Sequence, residues 1–295
     1  DVGPLAAMPV MEGKASLMET LTGLSGMPIL LNTKDPDKIV DSVVNLAPTF
    51  SAIQLEDISA PRCFYIEEKI QEKLQIPVMH DDQHGTACVV TAALMNISRQ
   101  LSCDLAECEI GVIGLGAAGL AISKMLMFYL DKPVRGADIN PGASQRLKEA
   151  GGLASDLNDI MARSQVIVAT TGVPGLIKKE MVRKGQIILA LSNPNPEIEP
   201  EQALEAGAIF AADGKTINNV LGFPGIFRGA VDANVPRITR EMLIAAAGAI
   251  ADYASAGEIV PDPLDKGLHR RVARAVAKVA LEQGLNRDDL TGYFD

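Results

Sequence analysis

Apolar and polar positions along the chain follow two periods. Short apolar runs that read as strands fall at 28–31, 52–55, 78–79, 110–113, 134–137, 165–169, 186–191 and 208–212. Between and after them come stretches with apolar residues three and four apart, which predict helices over 13–24, 38–46, 61–74, 86–101, 120–130, 155–162, 200–206, 239–255 and 267–283. Pro36 suits a first helical turn, Pro261-Asp262-Pro263 separates the last two helices, and Phe223-Pro224-Gly225 reads as a turn. Strand and helix alternate through the first two thirds, which predicts an α/β chain with parallel sheet. The last part is helical and alanine-rich, and no internal repeat or low-complexity segment interrupts the pattern.

The run over 110–113 leads into Gly114-Leu115-Gly116-Ala117-Ala118-Gly119 and then a helical stretch. Strand, glycine turn and helix start are what a dinucleotide pyrophosphate requires. The first glycine permits the turn, the second lets backbone approach the phosphates, and the third lets helix pack on strand. Free N–H groups and the positive helix end complete the cradle. The next apolar run ends in Asp138, placed to accept from a ribose 2′-hydroxyl and to repel a 2′-phosphate, so NAD is expected rather than NADP. The expected middle of the chain is therefore a doubly wound (Rossmann) domain.

Composition changes this picture little. The chain has 295 residues, 47% hydrophobic and 22% charged, enough for two modest domains. A net charge of −10 argues against nucleic acid or an anionic membrane as partner. Cys63, Cys88, Cys103 and Cys108 form no CxxC pair and no zinc spacing, which fits reduced thiols in a cytoplasm. No apolar stretch has the length of a membrane span, and no signal peptide opens the chain. Asp1-Val2-Gly3-Pro4 reads like loop interior, and an N-terminal part of a longer protein is expected before it.

Acids cluster at two strand ends, Glu56-Asp57 and Asp81-Asp82. Carboxyl ends of parallel strands are where ligands gather, and crowded carboxylates call for a cation, with oxygen donors suiting Mg²⁺ or Mn²⁺. Helix capping accounts for the same acids equally well. Lys14 falls near the expected start of a helix, where the dipole disfavours a cation, so it either faces something anionic or is solvated. Asn193 and Asn219 follow strands and could donate to a carboxylate or simply make turns. His84 reads as structural, and the role of Arg228 is open.

Met11-Glu12-Gly13-Lys14, Leu55-Glu56-Asp57-Ile58, His80-Asp81-Asp82-Gln83-His84-Gly85-Thr86, Ser192-Asn193-Pro194 and Ile217-Asn218-Asn219-Val220 through Phe223-Pro224-Gly225 occur in family order. Together they resemble the bacterial-type malic enzymes, from Asp1 to about Ile250. The resemblance implies oxidative decarboxylation of malate to pyruvate with NAD. It implies Glu56, Asp57 and Asp82 as ligands of Mg²⁺ or Mn²⁺, and Lys14 as general base, with Asp81 as its carboxylate partner and its pKa lowered by burial beside the metal. It implies Asn193 and Asn219 as substrate-holding asparagines, Asn193 also toward the cofactor, and Gly114, Gly116, Ala117, Ala118, Gly119 and Asp138 as the cofactor site. It further implies a substrate and metal domain over 1–80, a nucleotide domain over 81–218, C-terminal helices over 219–295 returning to the first domain, and a homodimer.

The family also carries an N-terminal segment with a tyrosine similar to a general acid and an arginine near the substrate. Tyr65, Tyr129, Tyr253 and Tyr293 match nothing in that motif. The expectation is that the 295-residue chain lacks full activity unless such a segment is supplied. Two alternatives stand beside this reading: a malolactic enzyme that releases lactate, and an NAD-binding module without catalysis.

Overall fold

The computed structural model describes residues 3–294, so the loop-like opening expected at Asp1 and Val2 lies outside the described residues. The chain divides into two compact units. One holds the chain up to Cys88, Asn219–Ser255 and the stretch from Pro261 onward; the other holds Val89–Asn218 and Ala256–Val260.

The first unit opens with α1 (Pro4–Thr22), which starts well before the expected 13–24 and closes on Gly23 in the left-handed conformation. Pro4 presets the first turn, and Pro9 inside the helix gives up one ladder bond. Then come α2 (Pro36–Leu46), capped by the Asp35 carboxylate, β1 (Ile53–Leu55), α3 (Arg62–Lys73) and β2 (Val78–His80). Parallel pairing of β1 with β2 sets Leu55 opposite His80, so both strands end at the same level. Ile39, Val40, Leu55, Ile66, Ile70 and Val78 form the core beneath them. The apolar run at 28–31 is not a strand. β1 pairs only with β2, and 28–31 instead lines a cleft of about 780 Å³ that also borders Lys14, Glu56 and Asp57.

β2 runs directly into α4 (Asp81–Leu101), which begins five residues before its expected start and crosses from one unit to the other. Its first turns stay with the first unit because Asp81, Thr86 and Cys88 bond to Lys14, Asn219 and Leu243 there.

The second unit follows: β3 (Ile110–Ile113), α5 (Ala117–Leu130), β4 (Arg135–Ala137), α6 (Pro141–Glu149), β5 (Leu153–Ala154), α7 (Leu157–Arg163), β6 (Val166–Ala169), β7 (Ile187–Ala190), α8 (Pro200–Glu205) and β8 (Phe210–Asp213). Its six strands are all parallel in the order β5-β4-β3-β6-β7-β8. That is the doubly wound arrangement, with the order reversing between β3 and β6, where ligands of such sheets bind. β3, β6 and β7 are buried along their whole length, which explains why they read as unbroken apolar runs.

Three helices complete the first unit: α9 (Phe223–Asp232), α10 (Arg240–Tyr253) and α11 (Lys266–Glu282). The turn expected at Phe223-Pro224-Gly225 is the first turn of α9, where proline is tolerated because its missing N–H has no ladder partner. Gly225 and Gly229 let α9 lie against α11: a Cβ at Gly225 would fall 2.7 Å from Val272, and one at Gly229 would fall 2.3 Å from the Ala273 carbonyl. Among the described residues no helix is long and apolar enough to cross a membrane.

Candidate functional site

In the first unit, α1, β1, β2 with α4, and the start of α9 bring together side chains far apart in sequence. Lys14 lies in the interior of α1, not at its start, so the dipole argument does not apply to it. What holds it is charge: Nζ pairs with Asp81 Oδ2 at very short range and with Glu56 Oε2 at 3.0 Å. The Phe223 ring covers the ammonium at 4.7 Å. Asp81 Oδ2 also accepts from Asn219 Nδ2 at 3.1 Å, and Asn219 Oδ1 accepts from the Thr86 hydroxyl at 3.3 Å.

Asp57 has φ +56°, a conformation that aspartate adopts more readily than most residues. The kink turns its N–H onto Asp82 Oδ2 at 3.0 Å and brings the ends of β1 and β2 into one acidic cluster. Glu56, Asp57 and Asp82 each offer a carboxylate oxygen, and these lie within 4.8 Å of one another. Asp57 does not cap α3, which has no side-chain cap, whereas Asp82 sits in the first turn of α4.

The electrostatics of the cluster ask for a further cation. Burial, then the Asp81 charge, push the Glu56 carboxyl up to about 8, and Lys14 only partly opposes them. Complete burial pushes Asp81 up as well, again with Lys14 opposing. Burial would push the Lys14 ammonium down, but Asp81 and Glu56 override it and the net direction is up. The contacts favour the ion pair, with the proton on Lys14. Three oxygen donors, one of them strained toward protonation for want of positive charge, fit a hard divalent ion.

Asp57→Asn is expected to keep the fold, since asparagine tolerates the same backbone conformation, and to abolish tight Mn²⁺ binding. Titration of the free Mn²⁺ resonance against circular dichroism checks both halves. Undiminished Mn²⁺ affinity would sink the ligand assignment.

In the second unit, Gly114 takes φ +87° after β3, and Gly116 caps α5. A Cβ at Gly119 would fall 1.8 Å from the Gly114 carbonyl oxygen, so α5 can pack against the turn only through glycine. A Cβ at Gly116 would meet nothing within 4 Å, leaving open space over the backbone there. Ala117 and Ala118 form the first turn of α5, with N–H groups at its positive end. Asp138 closes β4, and its Oδ2 accepts from Leu115 N–H at 2.7 Å, tying it to the loop. This cradle fits a dinucleotide pyrophosphate. Asn193 stands exposed after β7, beside Ser192.

Several of the singled-out residues serve the scaffold. Arg228 pairs with Asp232 at 2.7 Å and donates to the Thr22 carbonyl. Tyr65, Tyr253 and Tyr293 bond to Asp37, Asp265 and Asp232, not to the Lys14 cluster. Two buried acids went unnoticed in the sequence. Glu67 bonds around the β2–α4 junction, and Glu197 gathers the Thr171 N–H and hydroxyl and the Ser192 hydroxyl behind the nucleotide loop. Each sits in a charged or polar stretch that reads as solvated, and no sequence signal marks it.

Residues 1–71 match the family model described as "Malic enzyme, N-terminal domain", and residues 142–281 match "Malic enzyme, NAD binding domain". The chain is 55% identical over 282 residues to "NAD-dependent malic enzyme 1" of Bacillus subtilis, covering 95% of this chain and 64% of that protein. It is 43% identical to the "Bifunctional malic/malolactic enzyme" of the same organism, with 97% of this chain and 76% of that protein covered. The crystal structure of a malic enzyme from Pyrococcus horikoshii superposes with a TM-score of 0.91 at 38% identity, over 99% of this chain and 75% of that one. The chain belongs to the malic enzyme family. The NAD-binding match covers the second unit from residue 142 to Asn218 and runs on through Asn219–Ser255 and the start of the last stretch of the first unit. The chain spans somewhat under two thirds of the Bacillus NAD-dependent protein's length.

Proposed function

We propose that the chain carries the catalytic core of an NAD-dependent oxidative decarboxylase of malate, acting in the cytoplasm on a small-molecule substrate and assembling as a homodimer. The observation that supports it most is the convergence of Lys14, Glu56, Asp57, Asp81 and Asp82, from three separate segments, on one partly buried cluster. Metal ligands, base and cofactor loop fall to the residues that the family resemblance names.

Glu56, Asp57 and Asp82 hold the divalent ion, and Gly114, Gly116, Ala117, Ala118, Gly119 and Asp138 hold the dinucleotide. The ion supplies Lewis acidity, which lowers the pKa of a 2-hydroxyl. The dinucleotide supplies the hydride acceptor. Lys14 Nζ takes the hydroxyl proton. It acts as a base when neutral, and Glu56, once engaged as a ligand, offers it less countercharge, so burial weighs more heavily against the ammonium. Asp81 holds Nζ in place and Asn219 keeps Asp81 aligned. The roles that the resemblance implies for Asn219, toward substrate carboxylate, and for Asn193, toward substrate and cofactor, belong to the same proposal.

The reading is tested with the purified chain, malate, NAD⁺ and Mn²⁺. NADH and pyruvate should form together, cease with a chelator and return with Mn²⁺. Lactate without net NADH would move the assignment to malolactic chemistry. Failure to bind either Mn²⁺ or NAD would overturn it.

A further inference from the structure

Glu67 lies on α3, outside the cluster just described, among the fully buried Ile66 and Ile70. Its side chain is 8% exposed. Taking a carboxylate out of water costs several kcal/mol, by a rough general figure, so one kept in a core needs a full set of donors. Glu67 has them. Oε1 accepts from the His80 backbone N–H at 2.8 Å. Oε2 accepts from Gln83 Nε2 at 3.1 Å and meets His84 Nε2 at 3.0 Å.

The placement of these partners is the informative part. His80 is the last residue of β2, and Gln83 and His84 lie in the first turn of α4. Asp81 and Asp82 are the two residues between them. The chain passes from strand to helix here without a loop, so the directions of the two acids depend on how that single joint is held. The His80 ring is buried with neither nitrogen bonded, so Glu67 holds His80 by its backbone rather than its side chain. A negative group beside the first turn of α4 is also favoured by the helix dipole.

We infer that Glu67 is a positioning residue: by gripping the joint on both sides of Asp81-Asp82, it turns Asp81 toward Lys14 and Asp82 toward Asp57. Among the described residues, Glu67 makes its hydrogen bonds and ion pair with His80, Gln83 and His84 and none with Lys14, Glu56, Asp57 or Asp82. The inference rests on the metal reading proposed above. Groups that orient metal ligands in this way commonly change affinity by about 10- to 100-fold when replaced.

The test is Mn²⁺ titration of the wild-type chain, Glu67→Gln, Glu67→Leu and Asp82→Asn, read by the free Mn²⁺ resonance, with thermal unfolding of each in the absence of metal. Glu67→Gln keeps the size and one acceptor oxygen but removes the charge, and its NH₂ can be met only if the Gln83 amide turns or His84 changes tautomer. Glu67→Leu keeps apolar volume and removes the grip. Both are expected to bind Mn²⁺ at least about 10-fold more weakly than wild type while still unfolding cooperatively. Asp82→Asn is expected to lose binding. Wild-type Mn²⁺ affinity in a folded Glu67 variant, whatever its unfolding temperature, makes Glu67 a scaffold residue and overturns the inference alone. Failure of both Glu67 variants to fold overturns it in the same sense. No Mn²⁺ binding by wild type, or unchanged binding by Asp82→Asn, overturns the metal reading and this inference with it.

Discussion

Lys14→Met is expected to lose turnover by roughly 10²- to 10⁴-fold, the usual worth of a positioned general base. It is also expected to destabilise the first unit by about 3–5 kcal/mol, since removing one partner strands the other's buried charge. Asp81 has no exposed surface, and without Lys14 its side chain keeps, among the described residues, the Asn219 amide alone. Two further variants separate the effects. Lys14→Arg keeps the positive charge but cannot act as a base, so it should regain much of the stability and none of the turnover. Pairing Lys14→Met with Asp81→Asn should regain stability too, because the stranded charge is gone. Steady-state kinetics and thermal unfolding of the three variants read the outcome. Near wild-type turnover in Lys14→Arg would remove Lys14 from the chemistry.

Gly119→Ala and Gly116→Ala, three residues apart at the start of α5, are expected to fail in opposite ways. At Gly119 the added methyl meets the Gly114 carbonyl oxygen at 1.8 Å and Thr170 Oγ1 at 2.7 Å. The carbonyl is backbone, and it already accepts from the Thr170 hydroxyl at 3.0 Å, so α5 must move away from the sheet. Overpacking of this kind costs about 1–3 kcal/mol or more, which for units of this size lowers the unfolding temperature by several degrees, of order 2–4 °C per kcal/mol. At Gly116 the methyl meets nothing, and its φ of −69° suits alanine. Gly116→Ala should therefore unfold at the wild-type temperature and bind NAD more weakly, because the methyl occupies the space left for a pyrophosphate. Calorimetry with and without NAD distinguishes the two. Equal NAD affinity in Gly116→Ala would take that glycine out of the binding loop.

The second unit was the more legible in sequence. β3, β6 and β7 are buried on both faces, so each appears as an unbroken apolar run, and the glycine spacing after β3 has few other uses. The first unit was harder, for identifiable reasons. A helix carrying Pro9 and Gly13 does not advertise itself before residue 13, and this misplaced Lys14 at a helix start. Phe223-Pro224-Gly225 has turn composition, yet proline and glycine serve there for helix entry and close packing on α11. The run at 28–31 has strand composition without a strand beside it, and tertiary pairing decides that. The acids of the cluster could be named from their motifs, but not separated from helix caps by local pattern. Glu67 was invisible because Glu67-Glu68-Lys69 looks like any wetted helix face, and only folding shows which member turns inward.

Asp138 engages the glycine loop through Leu115 N–H and steadies its own turn through Asn140 N–H at 2.7 Å. On the reading proposed above, this one side chain would serve coenzyme preference as well as loop anchorage. Retuning this scaffold for a phosphorylated ribose takes more than erasing a negative charge: an engineer would also have to furnish a substitute fastener for the Leu115 amide, or the new specificity would arrive on a slackened grip.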